Sequence, residues 1–171
     1  MLSCTVICVI FSIVILGIRS EISCTFSRST KKVKCGSQEC SANTDDTPVG
    51  EYKLGAVEWN SGKERNWVNL YPKKKSGSGY WDYYCENPDS GRSKIALHPG
   101  SVSQGCISVP DSQCWGKLET LLKQQTPYSF SVTGVEHSGL GYLTTFSCNG
   151  NWLNSQKIKT VSVIGSLQVT S

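Results

Sequence analysis

Histidine is scarce in this chain: there are two among 171 residues. No two cysteines have the CxxC spacing. Together these absences disfavour a zinc site, whether histidine-rich or mixed cysteine–histidine, and no metal or other cofactor is expected. Charge of one sign is also lacking. The formal net charge is +4, too weak and too dispersed for a nucleic-acid footprint, although it is compatible with docking onto an anionic polymer. No repeat of solenoid period is present. The length excludes a two-domain enzyme of the dinucleotide-binding kind and suits one domain with its own core. A long apolar run occurs in one place, residues 2–18 (LSCTVICVIFSIVILGI), followed by Arg19 and Ser20.

That run is read as a secretory signal peptide over residues 1–20, with one domain over 21–171. The run is nearly long enough to span a bilayer and carries no Lys or Arg before it, so an uncleaved anchor is the alternative. A membrane partner is expected only in that case. Either way the domain lies outside the cytosol, and the expected location is extracellular. Cleavage after Ser20 would lower the formal charge from +4 to +3 and leave seven of the nine cysteines. So many cysteines in a secreted chain belong in an oxidising compartment. An odd number leaves at least one thiol without a partner inside the chain.

What the sequence has in quantity is Gly, Ser, Thr, Val and Tyr, with short apolar runs between turn clusters. This is β-sheet composition. Residues 24–35 (CTFSRSTKKVKC) read as a hairpin. A two-residue loop at Ser29-Thr30 would set Phe26 opposite Val33 and Cys24 opposite Cys35, all on one face. Spacing alone leaves open whether the two cysteines are joined. A loop is expected over 36–50 and strands over 51–58 and 66–71. Residues 72–79 read as a basic loop, and the aromatic residues of 80–84 as either a groove lining or packing. A short strand over 93–98 closes on His98. Pro110-Asp111-Ser112 opens a helix running to about Gln124, with Trp115, Leu118, Leu121 and Leu122 on its apolar stripe. Strands are expected over 128–135, 141–148 and 158–169, with a hairpin turn at Asn149-Gly150. His137 is placed in a surface loop.

The segment that carries chemistry is 92–109 (RSKIALHPGSVSQGCISV). A nucleophilic cysteine needs a base to take its proton and main-chain N–H groups to hold an oxyanion. Gly105, just before Cys106, permits close approach of the main chain. Ser103 can hydrogen-bond the local loop or the base. His98 ends its strand eight positions before Cys106, and a Pro-Gly-Ser turn and return could bring the two together.

His98, Ser103, Gly105, Cys106 and Ile107 together resemble the active-site signature of the L,D-transpeptidase family: a histidine, a spacer, then Ser-His-Gly-Cys and an apolar residue. The short spacer is most similar to the peptidoglycan-targeting L,D-transpeptidase effectors of type VI secretion. Arg92 stands where those effectors have an arginine before a short strand. Thr47-Pro48-Val49-Gly50-Glu51-Tyr52 is similar to the family's Thr-Pro-x-Gly-x-aromatic motif, and in the right order. The resemblance covers about 24–133, and 136–171 would be an extra β segment. Two positions depart from the family pattern. Gln104 stands for its second histidine, and Ser108 for an arginine two residues after the cysteine, which puts carboxylate recognition in question.

The resemblance implies a mainly β, disulfide-stapled β-sandwich with one helix after the active-site cysteine. Cys106 would be the nucleophile and His98 the general base and then acid. The N–H groups around Gly105 and Cys106, in the loop that holds Ser103 and Gln104, would form the oxyanion hole, and Arg92 would contact substrate. The partner would be bacterial cell-wall peptidoglycan or its muropeptides. The activity would be L,D-transpeptidase or L,D-carboxypeptidase chemistry, in a secreted protein directed against bacteria. With Cys106 kept as a thiol, Cys24, Cys35, Cys40, Cys85, Cys114 and Cys148 are the disulfide candidates. The alternative is a disulfide-stapled glycopeptide-binding protein whose site has degenerated.

Overall fold

A computed structural model describes residues 21–44, 46–73, 83–85, 95–134 and 158–171, together with the backbone of 136–138 and 144–146. The chain is mainly β. Its first three strands are β1 (Ile22–Ser27), β2 (Lys32–Cys35) and β3 (Gln38–Ser41). In β1 and β2 alternate residues are buried, so Cys24, Phe26, Val33 and Cys35 share the core face. The register is the expected one, with Cys24 opposite Cys35 and Phe26 opposite Val33. The turn is wider than the expected Ser29-Thr30 loop, because pairing stops at Ser27 and Lys32 and leaves residues 28–31 in the turn. Ser-Thr does not supply the two positive-φ residues of a tight primed turn. Instead Lys31 alone takes φ 52, and the Ser27 hydroxyl accepts a hydrogen bond from the Thr30 N–H at 3.2 Å, a local turn device of hydroxyl side chains.

The long strands follow as β4 (Gly50–Asn60) and β5 (Arg65–Pro72), then the short β6 (Ala96–Pro99) and β7 (Ile107–Val109). Next come helix α1 (Ser112–Lys123), β8 (Tyr128–Thr133), β9 (Glu136–Ser138), β10 (Thr144–Phe146) and β11 (Ile158–Thr170). Three of these strands correct the sequence reading. β3 lies inside the expected 36–50 loop; it turns one apolar residue, Cys40, to the core and so has almost no alternation to detect. β7 is a three-residue strand within the segment that reads as a site motif. The backbone of His137 belongs to β9, paired with Thr145 of β10, rather than to a loop. Residues 74–79 of the basic loop, Tyr80 and Trp81 of the aromatic run, and Asn149-Gly150 lie outside the described residues. Tyr83 packs edge-on against Phe130 and donates to Glu51.

Eight strands run side by side in the order β3-β2-β1-β11-β4-β5-β6-β7, and β8 adds to β11. Two pairings are parallel, β1 with β11 and β6 with β7. The two ends of this path meet. Asn43, just beyond β3, and Ser108 of β7 exchange main-chain hydrogen bonds of 2.7 and 2.8 Å. The sheet therefore curls back on itself. Its inner face carries Phe26, Leu54, Leu70, Leu97, Ile107 and Leu167, and α1 adds Trp115, Leu118 and Leu122 to the same core. The helix begins where expected, because the Asp111 carboxylate caps it by accepting from the N–H groups of Gln113 (2.8 Å) and Cys114 (3.0 Å).

Two disulfides lock this part of the molecule. Cys24–Cys35 crosses the first hairpin, and Cys40–Cys114 ties β3 to the first turn of α1 across 74 residues. Cys85 is also disulfide-bonded; Cys148 lies outside the described residues. Cys106 carries a thiol. Disulfides of this kind belong to an oxidising, non-cytosolic environment. Among the described residues no helix is long and apolar enough to cross a membrane.

Candidate active site

The site is built on the parallel pair β6 and β7, where Leu97 lies opposite Ile107 and His98 opposite Ser108. Leu97 and Ile107 point into the core. Side chains alternate along a strand, so His98 and Ser108 face the other side of the sheet. Parallel neighbours usually need a long crossover. Here both strands are short, and residues 100–106 suffice because the chain bends sharply at each end. Gly100 has φ 120 and Gly105 φ 84, values that side-chain-bearing residues rarely adopt. The second bend delivers Cys106 to the head of β7. His98 and Cys106, eight positions apart in sequence, thus line one cavity of about 680 Å³, with Ser103, Gln104 and Val102 of the same loop.

The loop is held by buried polar contacts. The Thr47 hydroxyl, fully buried, donates to the Gly105 carbonyl at 3.0 Å. The Ser103 hydroxyl donates to the Cys106 carbonyl. The Thr-Pro-Val-Gly-Glu-Tyr stretch is itself fixed, because the Tyr52 hydroxyl donates to the Pro48 carbonyl at 2.7 Å. Two motifs that lie far apart in sequence therefore meet directly at the cysteine.

His98 is oriented by two direct contacts, one of them braced by a third residue. Its Nδ1 lies 2.8 Å from the Pro99 carbonyl. A carbonyl only accepts, so Nδ1 carries the proton, and Nε2 of the neutral ring is the basic nitrogen. The ring stacks on Trp67, with centroids 4.7 Å apart and planes 13° from parallel. Arg65 Nη1 donates to the same Pro99 carbonyl at 3.0 Å, which fixes the acceptor that fixes the ring.

Burial lowers the His98 pKa below the ordinary imidazole value. The Pro99 hydrogen bond opposes that shift, and the charges of Arg65 and Lys63 reinforce it. Burial also pushes the Cys106 thiol up. The Ala96 main-chain hydrogen bond and the Lys63 charge pull the other way. Both shifts favour the uncharged forms, a neutral imidazole and a protonated thiol.

Of the sequence-derived site residues, Cys106, His98, Ser103 and Gln104 line the cavity, and Gly105 shapes the bend beside it. Arg92 lies outside the described residues. Ser108 is buried in β7, its hydroxyl 3.4 Å from the Asn43 carbonyl. Five lining residues of the β4–β5 hairpin were missed: Asn60, Gly62, Lys63, Arg65 and Trp67. The Asn-Ser-Gly-Lys turn between two expected strands was visible in the sequence; nothing local showed that it folds over His98. Among the described residues no group of three or more His, Cys, Asp or Glu is gathered as a metal site would require. No protein-family model matches the chain, and neither does any curated protein or solved structure.

Proposed function

We propose that this domain is a secreted cysteine acyltransferase with the L,D-transpeptidase-like β-sandwich design, acting on peptidoglycan stem peptides. One observation carries the reading. A thiol and a histidine whose Nδ1 is tied to a main-chain carbonyl line the same cavity. Cys106 attacks the carbonyl that links an L-centre to a D-residue while His98 Nε2 takes the thiol proton. The tetrahedral oxyanion is held by main-chain N–H groups around Gly105 and Cys106. On collapse the C–N bond breaks, the departing D-residue amine takes the proton from His98, and a thioester on Cys106 remains. Water (carboxypeptidase) or an amine (transpeptidase) then gives up a proton to His98 and attacks the thioester, and the thiol is reprotonated as it leaves. The uncharged forms suit this order, since proton transfer accompanies attack.

A second reading has its own support. Ser108 and Gln104 replace charged or titratable residues of the family pattern, and the raised thiol pKa weakens the resting nucleophile. On that reading the cavity binds glycopeptide without turnover. Muropeptides incubated with wild type and with Cys106→Ala separate the two. The acyltransferase releases a D-residue or exchanges it, and the variant does not. Tight binding with no product, under reducing and non-reducing conditions, establishes the binding protein instead.

A further inference from the structure

We infer that the β4–β5 hairpin is the anion-recognition wall of the cavity, where Lys63, braced by Arg65, selects peptides ending in an unblocked carboxylate. This rests on the acyltransferase reading for its substrate class, but its electrostatic core stands apart from it. Described residues contribute two cations and no carboxylate to the lining: Asn60, Gly62, Lys63, Arg65, Trp67, His98 and the 102–106 loop. Neither cation is in an ion pair among the described residues. A cavity with net charge of one sign attracts the opposite charge and raises its local concentration.

The two cations are placed differently. Arg65 pairs across the hairpin with Asn60. Its Nε donates to the Lys63 carbonyl and its Nη1 to the Pro99 carbonyl, both at 3.0 Å. It therefore clamps the hairpin tip to the chain just after His98. A Cβ at Gly100 would come within 2.8 Å of Nη1, so the glycine makes room for the clamp. Lys63 lies in the turn itself, and its ammonium supplies three donors on a flexible stem. Its charge reaches both His98 and Cys106. Ser108 of β7, buried and facing Asn43, brings no charge. The hairpin is thus the cationic element among the described lining residues. With the scissile carbonyl at Cys106, a carboxylate held at Lys63 belongs to the departing terminal residue. The site therefore acts on chain ends and releases single terminal residues.

Two arms of one experiment test this with the full chain. In the first, Cys106 is alkylated at low salt with iodoacetate (an anion) and iodoacetamide (neutral), with glutathione as the reference thiol. The iodoacetate-to-iodoacetamide rate ratio is expected to exceed that of glutathione. It should fall roughly fivefold to tenfold in Lys63→Gln and with added salt, and it should be kept in Lys63→Arg. A ratio equal to glutathione's and indifferent to Lys63→Gln overturns the inference. In the second arm, kcat/KM is compared for a tetrapeptide stem with a terminal carboxylate and the same stem as its amide. Preference for the carboxylate, reduced in Lys63→Gln, is expected. Equal turnover of the two stems overturns the inference and leaves the acyltransferase reading intact. No turnover of either stem, with the alkylation ratio as expected, removes the acyltransferase reading and keeps the anion wall. If Cys106 resists both reagents, calorimetric binding of the two stems to Cys106→Ala decides: tighter binding of the carboxylate form supports the inference, and equal or absent binding overturns it.

Discussion

Two regions of the molecule are held in opposite ways. The β1–β3 segment and the start of α1 are fixed covalently, by Cys24–Cys35 and Cys40–Cys114. The 98–109 segment is positioned by hydrogen bonds: Thr47 to Gly105, Ser103 to Cys106, and His98 and Arg65 to Pro99. The two regions touch, since Asn43 follows β3 and bonds Ser108 of β7. A disulfide-rich domain that also keeps a thiol must separate that thiol from its crosslinks. Here the crosslinks stabilise the frame, and polar contacts aim the cysteine. Damage to the frame should cost stability with little change in chemistry at low temperature. Damage to the polar set should cost chemistry first.

The largest effect is expected at the reacting pair. Cys106→Ala should lower D-residue release by roughly four orders of magnitude or more, and His98→Ala by roughly three, with the fold intact by circular dichroism. If the pair acts as a unit, as proposed, the double variant should be hardly worse than Cys106→Ala. Additive losses would show that the two do not work together. Next comes the frame. Replacing Cys40 and Cys114 together by alanine should cost about 4 kcal/mol in urea unfolding, and replacing Cys24 and Cys35 about 3 kcal/mol, following the lengths of the loops they close. Turnover below the new unfolding midpoint should stay near wild type. A collapse of kcat in a folded disulfide variant would mean that the frame also aims the site.

Thr47→Val sharpens the comparison at a smaller scale. It removes a buried donor from the Gly105 carbonyl and should cost about 1–3 kcal/mol and roughly tenfold in kcat/KM. Thr47→Ser, which keeps the hydroxyl, should recover most of both. Equal effects of the two substitutions would make the contact one of shape rather than of hydrogen bonding.

The smallest effect is in the pH profile. Burial depresses the His98 pKa below its ordinary value of 6.5, so the neutral base persists below that pH. The acid limb of kcat/KM should therefore fall below pH 6.5, and a limb centred above 6.5 would contradict the lowered pKa. The same shift links to stability. Between the two pKa values the unfolded chain binds a proton that the folded chain excludes. This contribution is therefore complete above 6.5 and is lost as pH falls through the folded value. The thiol behaves oppositely. Its pKa is raised above 9.0, and its contribution is lost as pH rises past that value.

Legibility in the sequence followed the range of the interactions. The first hairpin was readable because alternation ties Phe26 to Val33 and Cys24 to Cys35 whatever the turn does. Helix α1 was readable because its cap, Asp111, and its apolar stripe are local. β3 and β7 were not, because each is only four or three residues long and shows too little alternation to read, even though its partner strand is near in sequence. The closure of the sheet through Asn43 and Ser108 left no local mark. At the site, Cys106 and His98 could be named from spacing and motif. The β4–β5 hairpin could not, because Lys63, Arg65 and Trp67 reach the cavity only through a strand pairing, Val68 opposite Leu97, between segments with no sequence relation. Thr47 was visible as part of a motif, but its hydrogen bond to Gly105 became visible only in three dimensions.

The central claim is that Cys106 becomes acylated. Intact-protein mass spectrometry after mixing the full chain with a tetrapeptide muropeptide and quenching in acid tests it directly. The expected result is an adduct of the donor minus its terminal D-residue, mapped to Cys106, discharged by hydroxylamine and absent in Cys106→Ala. Turnover with Cys106 unmodified throughout, or an adduct on another residue that survives in Cys106→Ala, would contradict it.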